Sequence, residues 1–324
     1  CDVVDRTGLI LDIFALHAQS KEANLQVELA MSVYLKPRLA GLGKTLNQQG
    51  GGIGTRGPGE AKLETDSRLI DNRINKLRKE LRKIEKQRVL QASSREKNNT
   101  PLVSIVGYTN AGKSTLLRSL TNSEAYVADE LFATVDSLQR ELPIKNVQEP
   151  LILSDTVGFI QNLPTTLIES FKSTLLVATS ADLLIHVVDA ATAIPQMHIG
   201  TVRNILEQIN VSANEIMVFN KIDRLDRASL NELTERYPQA LFISSLKNTG
   251  IEELVERISS EIYGEVQQDS FLVEPKDLEK VNRFGEILEV TNSSDLLLLE
   301  IRMRSKLIHK LLDLKLMKES KNVK

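Results

Sequence analysis

The sequence predicts an α/β architecture. A central, mostly parallel sheet is expected, preceded by an antiparallel two-helix coiled-coil domain and followed by a small α+β C-terminal domain. Three observations carry this expectation. Short, nearly continuous apolar runs recur between residues 102 and 245 and alternate with helix-like segments, as strands covered on both faces do. Ile70, Ile74, Leu77, Leu81 and Ile84 step by four, three, four and three, the seam of a helix that needs a partner. After Gly264 the alternation ends, and ILEV (287–290) and LLLLEIRM (296–303) read as strands, with a helix over Lys306–Met317.

Taken in order, residues 1–14 alternate and then run apolar, so 1–18 is expected to be the remnant of an upstream domain, ending in its last strand or turn. A helix starts at Lys21, carries Leu25, Val27, Leu29, Met31 and Val33, and is expected to stop at Pro37. The Gly-rich loop Gly41–Gly59 follows, then a second helix from Glu60 to Lys97, so that 19–97 forms a helical hairpin with the loop at its tip. The polar stretch SSREKNNT (93–100) leads into the sheet domain, 98–264, whose strands are LVSIVG (102–107), LILSDT (151–156), DLLIHVVDA (182–190), EIMVFNK (215–221) and ALFISS (240–245). Residues 265–324 form the last unit.

Composition narrows the class. A chain of 324 residues with 41% hydrophobic and 26% charged residues is long enough for two or three folded domains. One cysteine, Cys1, rules out a disulfide framework or a multi-cysteine metal site. No apolar run reaches the ~18 residues a membrane span requires. The opening CDVVDRTGLILDIF carries acids where a basic leader belongs, so a cytoplasmic protein is expected; a monomer is expected as well. Because the chain starts on Cys rather than Met, its amino-terminal part is expected to be missing. The net charge of −2 hides an asymmetry: 36–97 carries sixteen Lys/Arg against seven Asp/Glu. Within it, Lys36–Arg56 holds four cations and no acid. Such a block is either a solvated helix face or an arm that meets a polyanion.

The segment GYTNAGKS (107–114) fits G-x-x-x-x-G-K-[ST] between a strand and a helix, the context the motif requires. Gly107, Asn110, Ala111, Gly112, Lys113, Ser114 and Thr115 are the expected phosphate cradle, with backbone N–H groups facing the phosphates at a helix N-terminus. Lys113 would neutralise the β and γ oxygens, and the Ser114 hydroxyl would hold Mg²⁺. Asn220-Lys221-Ile222-Asp223 follows a buried strand. The Asp223 carboxylate can accept from both N1–H and the exocyclic amine of guanine, a pair that adenine does not offer. Ser244 and Ser245 follow the next strand, where the Ser245 amide would meet guanine O6. Asp155-Thr-Val-Gly158 ends a third strand. Asp155 would bind Mg²⁺ through water, and the Gly158 amide would sense the γ-phosphate. Thr134 is the candidate whose hydroxyl completes the magnesium shell. Together these elements identify a P-loop GTPase domain, with Lys113, Thr134 and Gly158 in the catalytic roles and GTP and GDP as ligands.

Ras-like enzymes place a water-orienting glutamine just after the D-x-x-G glycine. Here it is Phe159, which cannot hydrogen-bond water, so slow turnover raised by a partner is expected. Asn110 stands where potassium-activated GTPases help to hold K⁺; it can equally be there because asparagine tolerates the loop geometry. The four histidines are dispersed, and His186, inside an apolar strand, reads as a core residue.

LQVELAMSVYLKPRLAGL (25–42), GGGIGTRGPGE (50–60), LETD (63–66), LFATVD (131–136) and DTVGFIQNLP (155–164) resemble the HflX family of ribosome-associated GTPases. The resemblance implies a GTPase that docks on the large ribosomal subunit and its rRNA, and separates stalled or hibernating ribosomes after stress. It turns the basic hairpin into an expected rRNA contact through Lys44, Arg56, Gly51, Gly54 and Gly57. Where the family reads FATLDPTTR, this chain has Ser137-Leu138 in place of Pro-Thr. Two other readings stand beside it: a GTPase that checks assembly of the large subunit, and a nucleotide-gated RNA-binding scaffold in which hydrolysis is incidental.

Overall fold

The computed structural model describes residues 3–46, 58–97, 100–121, 138–145, 147–161, 177–293, 295–311 and 317–318. Helix α1 (Arg6–His17) corrects the expectation of a closing strand or turn near the start. Asp5 caps it by accepting from the Gly8 amide at 2.8 Å, and Ile10, Leu11 and Phe14 fall on one buried face. Helix α2 (Lys21–Leu46) contains Pro37 rather than ending there. Proline removes one N–H and crowds the preceding turn, but Arg38 covers the disturbed region by donating from Nη1 to the Tyr34 carbonyl at 2.9 Å.

Helix α3 (Pro58–Lys97) runs back along α2. Ion pairs Glu22–Arg88, Glu28–Arg73 and Lys36–Asp71 descend α3 as they ascend α2, which makes the pair antiparallel. Between them Leu29, Ile74 and Leu77 are buried, flanked by Leu25, Val33, Ile70 and Leu81, so the seam is filled by the residues whose spacing announced it.

The sheet domain holds β1 (Leu102–Gly107), α4 (Lys113–Thr121), β2 (Gln139–Ile144), β3 (Val147–Asp155), β4 (Leu183–Asp189), α5 (Pro195–Gln208), β5 (Asn214–Asn220), α6 (Arg227–Arg236), β6 (Leu241–Phe242) and α7 (Ile251–Tyr263). Its strand order is β2-β3-β1-β4-β5-β6, parallel except for β2, which runs antiparallel on the edge. Strand β2 escaped the sequence reading because only Leu142 and Ile144 are buried; Pro143 between them lacks a donor, as an edge permits. Every residue of β1 is buried, and the C-terminal ends of β1, β3, β4 and β5 share one rim. In β4 the buried His186 meets Glu215 through Nδ1 at 3.0 Å. Burial would raise the Glu215 carboxyl, but hydrogen bonds from His186 and Arg203 win and hold it at about 2.

The last unit is an antiparallel sheet in the order β10-β7-β9-β8, from β7 (Val266–Val273), β8 (Gly285–Ser293), β9 (Leu296–Arg304) and β10 (Met317–Lys318), with α8 (Leu278–Asn282) after β7. Among the described residues, the helix expected over Lys306–Met317 gives way to a 3₁₀ segment, Ser305–Lys310, and to β10, which pairs Met317 with Leu272. The sheet does not stand apart: Phe271, Leu299, Ile301 and Met303 share one core with Leu254 and Ile258 of α7 and Leu116 and Leu117 of α4.

Arg304, 4% exposed, clamps this junction with a two-pronged bond to Glu256 of α7 at 2.8 and 2.9 Å. Arg304→Ala is expected to cost about 1–2 kcal/mol. That is less than breaking a fully buried pair costs, because Glu256 is 61% exposed and water can take over its charge. Urea unfolding checks this, and a loss under 0.5 kcal/mol would deny the clamp its role.

Candidate nucleotide-binding site

The rim of the parallel sheet gathers the motifs. Between β1 and α4 the chain wraps through Asn110 at φ +61° and Gly112 at φ +93°. A Cβ on Gly112 would stand 2.3 Å from Asn220 Nδ2, so only glycine lets the segment after β5 come this close. Lys113 is buried, and its ammonium donates to the carbonyls of Gly107 at 3.2 Å and Tyr108 at 3.0 Å, holding the loop closed on itself. Burial drives its pKa down to about 8; Asp155 resists and Lys221 adds to the fall. The Ser114 hydroxyl, in the first turn of α4, donates to Asp155 Oδ2 at 2.7 Å. Thr115 follows on the same helix.

After β5, Asn220 acts as a strut. Its Nδ2 donates to Ala111 O at 3.0 Å, and its Oδ1 accepts from the Ser245 amide at 3.0 Å, tying the phosphate loop to the loop after β6. The Ser245 amide that was expected to meet guanine O6 is thus also a support for Asn220. Lys221, at φ +67°, spans the loop, donating to Asn110 O at 2.6 Å and to Asp189 Oδ2 at 2.7 Å. Asp223 receives the Ser244 hydroxyl at 2.6 Å, and that bond holds its carboxyl below the usual carboxylate range despite partial burial. Ser244 Oγ in turn accepts from the Lys247 amide at 3.2 Å.

The segment after β3 is zipped to the phosphate loop: Phe159 donates to Gly107 O at 3.1 Å and Thr109 donates to Phe159 O at 2.8 Å. A Cβ on Gly158 would meet Thr109 Cγ2 at 2.9 Å and Lys113 Nζ at 3.0 Å. Phe159, 2% exposed, turns into the core among Val106, Leu184 and Val202. Val157 is buried with Ile10, Leu11, Phe14 and Val27 of α1 and α2, and Ile160 packs against the same cluster. Gln161 is gripped twice, its amide donating to the Tyr108 hydroxyl at 3.1 Å and its carbonyl accepting from Arg6.

Gly107, Asn110, Ala111, Gly112, Lys113, Ser114, Asp155, Gly158, Asn220, Lys221, Asp223, Ser244 and Ser245 therefore meet on one rim. Thr134, Gly51, Gly54, Arg56 and Gly57 lie outside the described residues; Lys44 falls on α2. The sequence reading missed Asp189, although an acid closing an apolar strand, in register with Asn220, was a readable signal. It also missed His198 of α5, whose ring stacks on Tyr108 at 3.9 Å and 7°; no spacing announces that contact. Burial against the ring keeps His198 below the usual histidine range.

Comparison with known proteins finds relatives along most of the chain. A family described as the GTP-binding GTPase middle region matches residues 17–95, and one described as 50S ribosome-binding GTPase matches 102–221. The GTPase HflX of Escherichia coli (strain K12) is 44% identical over 89% of this chain and 68% of its own length. That of Caldanaerobacter subterraneus is 49% identical over 83% of this chain, which spans only 62% of that relative. Among solved structures, a GTP-binding protein from Sulfolobus solfataricus in complex with GDP is 30% identical over 80% of this chain and 72% of its own, with a TM-score of 0.49. Because the likeness to the Escherichia coli protein runs through the helical hairpin and the nucleotide rim alike, the chain belongs to the HflX family of GTPases.

Proposed function

We propose that this chain binds GTP and hydrolyses it to GDP and phosphate, and uses the nucleotide state to control how its helical hairpin engages the large ribosomal subunit in the cytoplasm, promoting ribosome dissociation under stress. The observation that carries the nucleotide half is the Asn220 strut, which makes phosphate loop and base loop one unit at a spacing set by protein bonds alone. Within that unit Lys113 takes the β and γ oxygens, Asp223 reads guanine, and the Gly158 amide meets the terminal phosphate.

Ser114 and Asp155 offer hard oxygens at 2.7 Å from each other, a donor set that fits Mg²⁺, which would neutralise phosphate charge when bound. Thr134 is the candidate for the remaining protein ligand.

The seat of Val157 and Ile160 against α1 and α2 supports the switching half. Movement of Gly158 toward a terminal phosphate draws on the segment that holds these side chains, so phosphate at one end and helix packing at the other compete for the same residues. The exposed Lys76, Arg78, Lys79, Arg82, Lys83 and Lys86 give α3 a basic face suited to rRNA phosphate.

Sedimentation of intact 70S ribosomes with protein and GTP is expected to show separated subunits, and binding that falls ~10- to 100-fold between 50 and 200 mM salt. Binding restricted to precursor large subunits would instead indicate an assembly role, and salt-insensitive binding would indicate protein contacts. Ribosome activity surviving in Lys113→Ala would support the scaffold reading.

A further inference from the structure

The segment after β3 must carry the Gly158 amide to a terminal phosphate and keep it there. Its backbone bonds to the phosphate loop run from Gly107 and Thr109 to Phe159. Two residues further on, the bond comes from a side chain: the Gln161 amide donates to the Tyr108 hydroxyl at 3.1 Å. We propose that Tyr108 is a positioning residue, its hydroxyl holding the Gly158 segment in place for a triphosphate and so favouring GTP over GDP. It acts through Gln161 without touching the nucleotide, and the inference rests on the GTPase reading above.

A tether needs a fixed post. Tyr108 stands at the end of β1, bridged in parallel to Phe159, where strand pairing stops. Its ring lies on that of His198, with centroids 3.9 Å apart and planes 7° from parallel. His198 belongs to α5, whose Val202, Ile205 and Leu206 are buried with Val106 of β1 and Leu184 of β4, so the post is referred to the core of the sheet. Burial keeps His198 below the usual histidine range, and at neutral pH the stack joins two uncharged rings. On its other side Gln161 is held by Arg6 of α1, which donates to its carbonyl. One residue thus takes a directed bond from the phosphate loop and another from the helical domain.

The bond from Tyr108 bears on GTP and not on GDP. A diphosphate has no terminal group for the Gly158 amide to meet, so the order of this segment is immaterial to it. A triphosphate needs the amide in place, and whatever freedom the segment has beforehand must be given up on binding. Val157 and Ile160 restrict that freedom by apolar packing against α1 and α2, which is not directional. The phenol adds the direction, toward the phosphate loop.

The test is Tyr108→Phe, which deletes one oxygen and keeps the ring on His198. Binding of fluorescent GDP and of a fluorescent, non-hydrolysable GTP analogue is read beside single-turnover hydrolysis at saturating GTP. The GTP analogue is expected to bind ~3- to 10-fold more weakly, the span of one neutral hydrogen bond, while GDP stays within ~1.5-fold of the parent. Turnover falls by a similar factor. His198→Ala, which removes the support behind the ring, is expected to shift the ratio of GTP to GDP affinity in the same direction, and His198→Phe to return it to that of the parent. An unchanged ratio in Tyr108→Phe would overturn the proposal. Equal loss of both nucleotides would do so as well, by making the hydroxyl a support of the loop as a whole, and tighter GTP binding would do so by making the bond a restraint against closure. Absence of nucleotide binding by the unsubstituted protein is a separate outcome that removes the GTPase reading and this inference with it.

Discussion

Lys113→Ala is expected to weaken GTP binding by ~2–5 kcal/mol, a factor of ~30 to several thousand, and to reduce turnover below detection. The large effect follows from burial. The ammonium sits out of water on two backbone carbonyls, so exchanging them for phosphate oxygens places full opposite charges against one another in a dry site. The depressed pKa makes the interaction visible in pH. In the free protein Lys113 titrates at about 8. A bound triphosphate favours the charged form and raises that value, so the complex holds more protons than the free protein at pH 8 and above. Affinity must then be flat well below 8 and fall as pH rises through 8, approaching ~10-fold per pH unit until the pKa of the complex is reached. Fluorescence titration of a GTP analogue from pH 6.5 to 9.5 measures this. Affinity that stays level above 8, or a Lys113→Ala variant that keeps the same slope, would contradict the assignment.

The parts of the fold legible in the sequence are those whose burial is uniform. Strands β1, β3, β4 and β5 are covered on both faces and so read as unbroken apolar runs, and the α3 seam repeats because one helix face meets one partner. Strands β2 and β7 bury only a few side chains each, and their polar residues hide the period. Helix α1 was misread because exposed Leu9 and Leu16 interleave with buried Ile10, Leu11 and Phe14, blurring a three-residue stripe. Pro37 misled for a different reason: the cost of an interior proline is real, but tertiary contacts of the α2–α3 pair and the Arg38 bond outweigh it.

The site divides in the same way. Phosphate and base motifs are local, because each is a stretch of backbone that must curve around a ligand, and the residues able to curve are few. The bonds that set those stretches at working distances are not local. Asn220 reaches Ala111 across 109 positions, Lys221 reaches Asp189 across 32, and the Tyr108–His198 stack joins the loop to α5. Each depends on the strand order, which puts β4 beside β1 and β5 beside β4, and a sequence read left to right does not display that neighbourhood.

Asp223→Asn should redirect the protein from guanine to xanthine nucleotides. Guanine presents two donors on its recognition edge, N1–H and the exocyclic amine, and a carboxylate accepts both. The Ser244 hydroxyl keeps that carboxylate ionised and aimed, donating to Oδ1 at 2.6 Å while itself held by the Lys247 amide. Asparagine replaces one acceptor with an NH₂ group, which faces the guanine amine donor to donor and leaves both unpaired in a partly desolvated site. Sites built on such hydrogen bonds reject the mismatched partner strongly, so GTP affinity is expected to fall ~100-fold or more. Xanthine carries an oxygen where guanine carries the amine, so the new NH₂ group finds an acceptor and xanthosine triphosphate should bind better by a comparable factor. Because the amide oxygen retains two lone pairs, it can serve Ser244 and the base N1–H together, and the loop need not rearrange. Competition between fluorescent GDP and unlabelled xanthosine or guanosine diphosphate reads both halves of the exchange. Loss of both nucleotides would mean that Asp223 supports the loop rather than reading the base, and undiminished use of GTP would remove it from recognition altogether.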